Sequence, residues 1–175
     1  MNLLLSIDDM YKIPEDKLPL AVLSYNYRSF LSWGITARTQ GHYNHFMWMH
    51  RPGFFATQDW WYREIPIEKY MKSHRLKFWC DPNWNKMQRE LINLRIRAEL
   101  AKPKWKTRYD LIAIAGQLFG ITGLQTPWTN ICSDAAKWIN IVDPRMTLEH
   151  PAPSDSNNWF KNHPEYKVYG RFVND

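Results

Sequence analysis

The sequence predicts an α+β fold, a small antiparallel sheet packed with helices. Three observations carry this. Short segments rich in aromatic and β-branched residues are separated by Pro, Gly and Asp turn signals. One long segment, Asn83 to Lys102, has helical periodicity. No internal repeat and no linker long enough to divide the 175 residues occurs. The expected organisation is a single domain over 1–175, with a core at about 18–145 and an irregular C-terminal tail over 146–175.

Taken in order, residues 1–13 form a short amphipathic segment, read as a helix ended by Pro14, with a turn to Lys17. Leu18 to Tyr25 reads as a strand starting after Pro19. Arg28 to Thr39 places Phe30, Leu31, Ile35 and Ala37 at roughly helical spacing, with Gly41 as a stop. His42 to Met49 is a strand, His50 to Gly53 a tight turn, and Phe54 to Asp59 the returning strand of a hairpin. Arg63 to Ile67 is extended, Glu68 to Lys72 a helical turn, and Leu76 to Cys80 a strand closed by Asp81 and Pro82. In the long helix, Trp84, Met87, Leu91, Leu94, Ala98 and Ala101 recur every three or four residues, which makes one apolar stripe. Tyr109 to Phe119 reads as a second helix ended by Gly120, and Cys132 to Ile141 as a third, stopped at Asp143 and Pro144. The tail from His150 is rich in Pro, Ser and Asn and reads as a loop, with a last strand at Tyr166 to Phe172.

Composition narrows the class. Hydrophobic residues make up 45% and aromatic residues 15%, enough for a packed core. The two cysteines form neither a disulfide framework nor a zinc-ribbon spacing. The N-terminal apolar run lacks a basic start and is too short for a signal peptide, and no stretch approaches the ~18 apolar residues of a membrane span. The expectation is a protein cytoplasmic as synthesised, which something else must deliver if it acts on a cell envelope. The net charge of +6 suits anionic partners. The charge is spread out except in Lys102 to Arg108, which reads as a solvated connector. No RRM, helix-turn-helix or basic-stripe signature supports nucleic acid.

Cys132 carries the chemistry. It falls at the entry of its helix, after Thr129 and Asn130, either of which can cap it. Unpaired N–H groups and the positive end of the helix dipole favour a thiolate there, and the Cys132 N–H can face an oxyanion. A lone buried cysteine is ordinary core packing, so the rest of the chain must supply a base. Of six histidines, His45 stands between large apolar residues in mid-strand. If His50 to Gly53 is the hairpin loop, Met49 pairs with Phe54 and Gln58 lies opposite His45. A two-residue loop gives the same pairing, and a three-residue loop puts Asp59 there. Gln58 can accept one ring N–H and leave the other nitrogen for the thiol. Cys80 ends a strand without a helix start and reads as packing. A metal site at His42, His45 and His50 is weakened because His42 and His45 would point to opposite faces of a strand.

The order of these segments resembles a known family: Leu18 to Leu23, Gly41 to Trp48, Phe54 to Asp59, Glu64 to Tyr70, then Ile131 to Ala136 far downstream. It is similar to the circularly permuted branch of the NlpC-type papain-like superfamily, with its YiiX-like amidases and, more distantly, the lecithin–retinol acyltransferases. In that branch the histidine hairpin precedes the cysteine helix. The resemblance implies Cys132 as nucleophile, His45 as base and a polar orienter on the next strand. The family position about twelve residues after the base is Thr57 here, a poor orienter, which leaves Gln58 preferred and Asp59 as the other alternative. The implied activity is cleavage of an amide bond, in a cell-wall peptide or another anionic envelope component, through a thioester and without cofactor or metal. An acyltransferase on lipids is the related alternative, and a bacterial or phage origin fits. Tyr25 or Asn26, ending the first strand, is a guessed second oxyanion donor. The rival is a catalytically weak or inactive domain kept as a structural or binding protein.

Overall fold

The computed structural model describes residues 3–26, 42–71, 74–109, 129–130, 132–148 and 152–173. The helix expected at Arg28 to Thr39, and all of the one expected at Tyr109 to Phe119 except Tyr109, lie outside them. The chain enters through α1 (Ile7–Tyr11), whose cap Ser6 accepts from Asp9 N–H at 3.1 Å while the Asp9 carboxylate accepts from Ser6 N–H at 2.9 Å. The strands are β1 (Leu20–Asn26), β2 (His45–Arg51), β3 (Phe54–Gln58), β4 (Tyr62–Pro66), β5 (His74–Cys80) and, near the end of the chain, β8 (Lys167–Phe172). They form one antiparallel sheet in the order β4-β3-β2-β1-β5-β8. A short parallel pair joins β6 (Arg108–Tyr109) to β7 (Thr129–Asn130). The helices are α2 (Glu68–Met71), α3 (Lys86–Leu100) and α4 (Pro153–Asn162), with a 3-10 segment at Cys132–Ile141. Sheet and helices together are the expected α+β fold.

Alternation along the strands divides the core in two. Ala21, Leu23, Phe46, Trp48 and Ala56 face a layer made by α3, the Cys132 segment and α4. Leu20, Val22, Met47, Met49 and Phe55 face Leu5, Met10, Ile13 and Tyr70. Trp48 is wholly buried, and its indole N–H donates to Ala135 O at 3.0 Å, which ties the Cys132 segment to the sheet.

Three local expectations are corrected. The stripe expected on α3 is not the buried one: Met87 is 68% exposed and Leu94 51%, while Arg89, Ile92, Ile96 and Glu99 are buried. Both lines have helical spacing. The buried line combines Ile92 and Ile96 with two charges that find partners, Glu99 at its neighbours Arg95 and Lys102 and Arg89 at backbone carbonyls. Arg89 donates to Lys17 O at 2.9 Å, Asp81 O at 3.0 Å and Trp84 O at 3.2 Å. We expect Arg89→Leu to cost about 3 kcal/mol, because three carbonyls lose a charged donor at once. Urea unfolding measures it, and a loss under about 0.5 kcal/mol would contradict this role.

The second correction concerns the tail. The stretch read as a loop contains α4, started by Pro153 in its first turn and by the Asp155 carboxylate accepting Ala152 N–H at 2.8 Å. Its apolar end packs on the sheet, with Phe160 stacked on Trp79 at 5.3 Å between ring centroids. Third, Cys132–Ile141 is 3-10 rather than α-helical. The side chains of the proposed caps Thr129 and Asn130 lie outside the described residues.

The basic connector is exposed at Trp105, and Lys104 lies over the Trp61 ring at 4.7 Å. Among the described residues no helix is long and apolar enough to cross a membrane.

Candidate active site

The hairpin that carries His45 turns at Pro52 and Gly53, where Gly53 has φ +76°. Its register is one residue away from the expected one. Met47 pairs with Thr57 and Met49 with Phe55, but Arg51 pairs with Phe54, so His50 is an extra residue in β2. That bulge moves every later partner to the other face of the sheet. Gln58 therefore does not orient His45. It faces the α3 side, and its amide donates to Thr107 O at 2.5 Å. Continued to His45, the observed register points to Asp59, the alternative expected for a three-residue loop, and Thr57, the partner of Met47, reaches the ring diagonally with its Oγ1 2.6 Å from His45 Nε2.

Behind Thr57 lies Tyr70 from α2, to which the sequence assigned no role. Its ring stacks on His45 at 6.0 Å, and its hydroxyl is 3.4 Å from His45 Nε2. That hydroxyl donates to Asp59 Oδ1 at 2.8 Å and also takes a hydrogen bond from Thr57. The other Asp59 oxygen is held by Arg63, at 2.5 and 3.1 Å, and by Lys69 at 3.3 Å.

An ionised carboxylate can only accept, so the chain has one consistent direction. His45 Nε2–H donates to Thr57, Thr57 O–H to Tyr70, and Tyr70 O–H to Asp59. The His45 tautomer then leaves Nδ1 without its proton, as a base requires. Thr57 stands in contact with His45, with a tyrosine and a carboxylate behind it. Tyr70 falls within the segment Glu64 to Tyr70 that carried the family resemblance, but no spacing rule marked it.

The electrostatics follow from burial and charge. Burial lowers the His45 pKa to about 4, against the opposing pull of Asp59 and with a smaller push from His74. Burial alone would raise Asp59, but His45, Arg63, Tyr70 and Lys69 outweigh it and hold the carboxyl at about 2. Burial, then the Asp59 charge, pushes the Tyr70 hydroxyl well above its ordinary value, so it stays a neutral donor.

These shifts fix a pH dependence of stability. The folded His45 refuses a proton that the unfolded chain takes up below about 6.5. Its contribution is complete above that pH and is lost as pH falls towards 4. His50 and His74, also lowered mainly by burial, act in the same sense. Asp59 adds a second loss between about 3.9 and 2. Urea unfolding should therefore weaken steadily from pH 6.5 to 4, and His45→Gln should flatten that limb. Stability that rises on acidification through this window would contradict the assignment.

Cys132 begins its segment and is 5% exposed. The Cys132 charge is the smallest of the influences that raise the Tyr70 hydroxyl. His45 and Trp48, three residues apart in β2, lie on opposite faces, and it is Trp48 that touches the Cys132 segment. His45, the first residue of β2, thus shares the face of Met47 and Met49, opposite the one the Cys132 segment packs on. Tyr25 and Asn26 end β1, one and two residues past Ser24, the partner of His45.

Among the described residues His74 joins this group, its ring 4.6 Å from that of Tyr70 and its Nδ1 3.1 Å from Tyr70 O, while His50 is bound to Glu64 at 2.7 Å and His42 is exposed. Among the described residues no group of three or more His, Cys, Asp or Glu is placed to hold a metal ion. Burial raises the Cys80 thiol above its ordinary pKa, which suits packing and not attack. No protein-family model matches the chain, and no curated protein does.

Proposed function

We propose that the chain is a cysteine hydrolase of papain-like logic that cleaves an amide bond, with Cys132 as nucleophile and His45 as base. The observation that supports this most is the chain from His45 Nε2 through Thr57 and Tyr70 to Asp59, which a merely packed histidine does not need. With His45 neutral, the thiol gives its proton to Nδ1 as its sulfur attacks the carbonyl carbon. The Cys132 N–H, with Tyr25 or Asn26, faces the resulting oxyanion. His45 returns the proton to the leaving nitrogen as the C–N bond breaks, and water then hydrolyses the thioester. A cell-wall peptide or another amide of an anionic envelope component is the substrate class that the family resemblance and the positive charge suggest.

Mass spectrometry after incubation with peptide amides and thioesters tests the reading. An acyl adduct on Cys132, absent from Cys132→Ala, is the expected result, and an unmodified Cys132 with every acyl donor would contradict it. Thr57→Val should lower turnover by roughly tenfold to a hundredfold, part of the 10² to 10⁴ a general base contributes, while Thr57→Ser retains most of it. Equal rates in both variants would remove Thr57 from the mechanism.

A second reading is a binding or structural protein that keeps the fold. The burial of Cys132 and the position of His45 on the face opposite Trp48 favour it. On that reading Cys132 reacts with no acyl donor, and His45 matters only for stability.

A further inference from the structure

Beside the start of the Cys132 segment, on the face of the sheet that Gln58 points to, is a cavity of about 90 Å³. It is lined by Gln58, Tyr62, Glu99, Lys102, Asp134 and Trp138, among others. Two of these present buried polar atoms with no hydrogen-bond partner, the Tyr62 hydroxyl and Glu99 Oε1. Tyr62 is 5% exposed and Glu99 3%. An unpaired buried polar group costs on the order of 1–3 kcal/mol, so two at one cavity mark a place where something completes them.

The chemistry of the missing partner follows from what is already satisfied. Glu99 Oε2 is held by Lys102 at 2.7 Å and by Arg95 at 3.4 Å, so the carboxylate charge is compensated and an incoming ammonium would meet two cations. Asp134 is likewise paired with Lys137 at 3.0 Å. Burial first, and then the Glu99 charge, raises the Tyr62 pKa well above its ordinary value, which leaves a neutral hydroxyl that donates. Glu99 Oε1 accepts. The edge of Trp138 against Tyr62, at 5.5 Å between ring centroids, makes the apolar wall. The volume is roughly that of three water molecules, which admits a planar group with one carbon beyond it.

We infer that this cavity is a binding site for a primary carboxamide, whose N–H donates to Glu99 Oε1 while its carbonyl accepts from the Tyr62 hydroxyl. Asp134, two residues from Cys132, is in its wall. If Cys132 is the nucleophile proposed above, the site holds a carboxamide of the substrate next to the reacting bond. The binding itself does not depend on that chemistry.

Two-dimensional NMR of the full chain, titrated separately with acetamide, N,N-dimethylacetamide, methylammonium and acetate, tests the inference. Acetamide should shift the Trp138 indole and the Asp134 and Ala135 amides saturably. The other three, which lack the donor, the acceptor or the neutrality, should not. Tyr62→Phe, with folding verified by its melting curve, should weaken acetamide binding by about tenfold, the worth of one hydrogen bond to a buried group. Cys132→Ala should bind acetamide as the native protein does, so a failure of the catalytic reading leaves this result standing. Shifts no larger with acetamide than with dimethylacetamide would overturn the inference and leave a cavity that holds water only. Should Tyr62→Phe fail to fold, the comparison among the four probes on the native chain still decides.

Discussion

His45→Ala is expected to reduce Cys132-dependent turnover by on the order of 10⁴-fold or more, as far as Cys132→Ala does. The two residues act on one proton, so losing either removes the same step, and their double replacement should cost no more than one alone. The effect should be kinetic rather than structural. His45 is the first residue of β2, and the strand is fixed further along by Met47, Trp48 and Met49. Turnover in His45→Ala within tenfold of native would remove it as the base. A loss fully explained by unfolding would leave its role unassigned to chemistry and favour the binding-protein reading.

Trp48→Ala should have the largest effect on stability, about 3–5 kcal/mol, the usual cost of removing a fully buried aromatic side chain. Trp48 packs its ring edge-on to Phe46 at 5.4 Å and donates to Ala135 O. Its loss therefore opens a cavity and also releases the Cys132 segment from the sheet. Trp48→Phe separates the two parts. It keeps most of the apolar volume but leaves Ala135 O unpaired, at about 1–3 kcal/mol. Urea unfolding gives the stability, and hydrogen exchange at Ala136 to Ile139 reports the release. Unchanged exchange there in Trp48→Ala would show that other contacts hold the segment.

The hairpin, its turn and the candidate nucleophile were legible from residue type and order. Register was not, because the bulge at His50 adds one residue beside a turn that looks regular in sequence. With a period of two, that single residue turns Gln58 to the other face and brings Thr57, opposite Met47, and Asp59 onto the face of His45. The buried face of α3 was hidden for a different reason. Two stripes share helical spacing, and the one containing Ile92 and Ile96 can also bury Arg89 and Glu99 because carbonyls of Lys17, Asp81 and Trp84 and the neighbouring cations Arg95 and Lys102 receive their charges. Tyr70 was beyond sequence reasoning altogether. Its place between Asp59 and His45 depends on the fold bringing α2 against β2 and β3, which no local pattern encodes. In α4, a proline and serines that suggest a loop are the residues of a helix start.

The claim that Cys132 and His45 work as a pair is tested most directly by the pH dependence of Cys132 alkylation. It is measured in a Cys80→Ala background, with His45→Ala beside it. The account predicts alkylation well below the free thiol value of ~8.5, with His45 taking the thiol proton as the sulfur reacts, and its loss in His45→Ala. A Cys132 that does not react, or that titrates like a free thiol with or without His45, would contradict it.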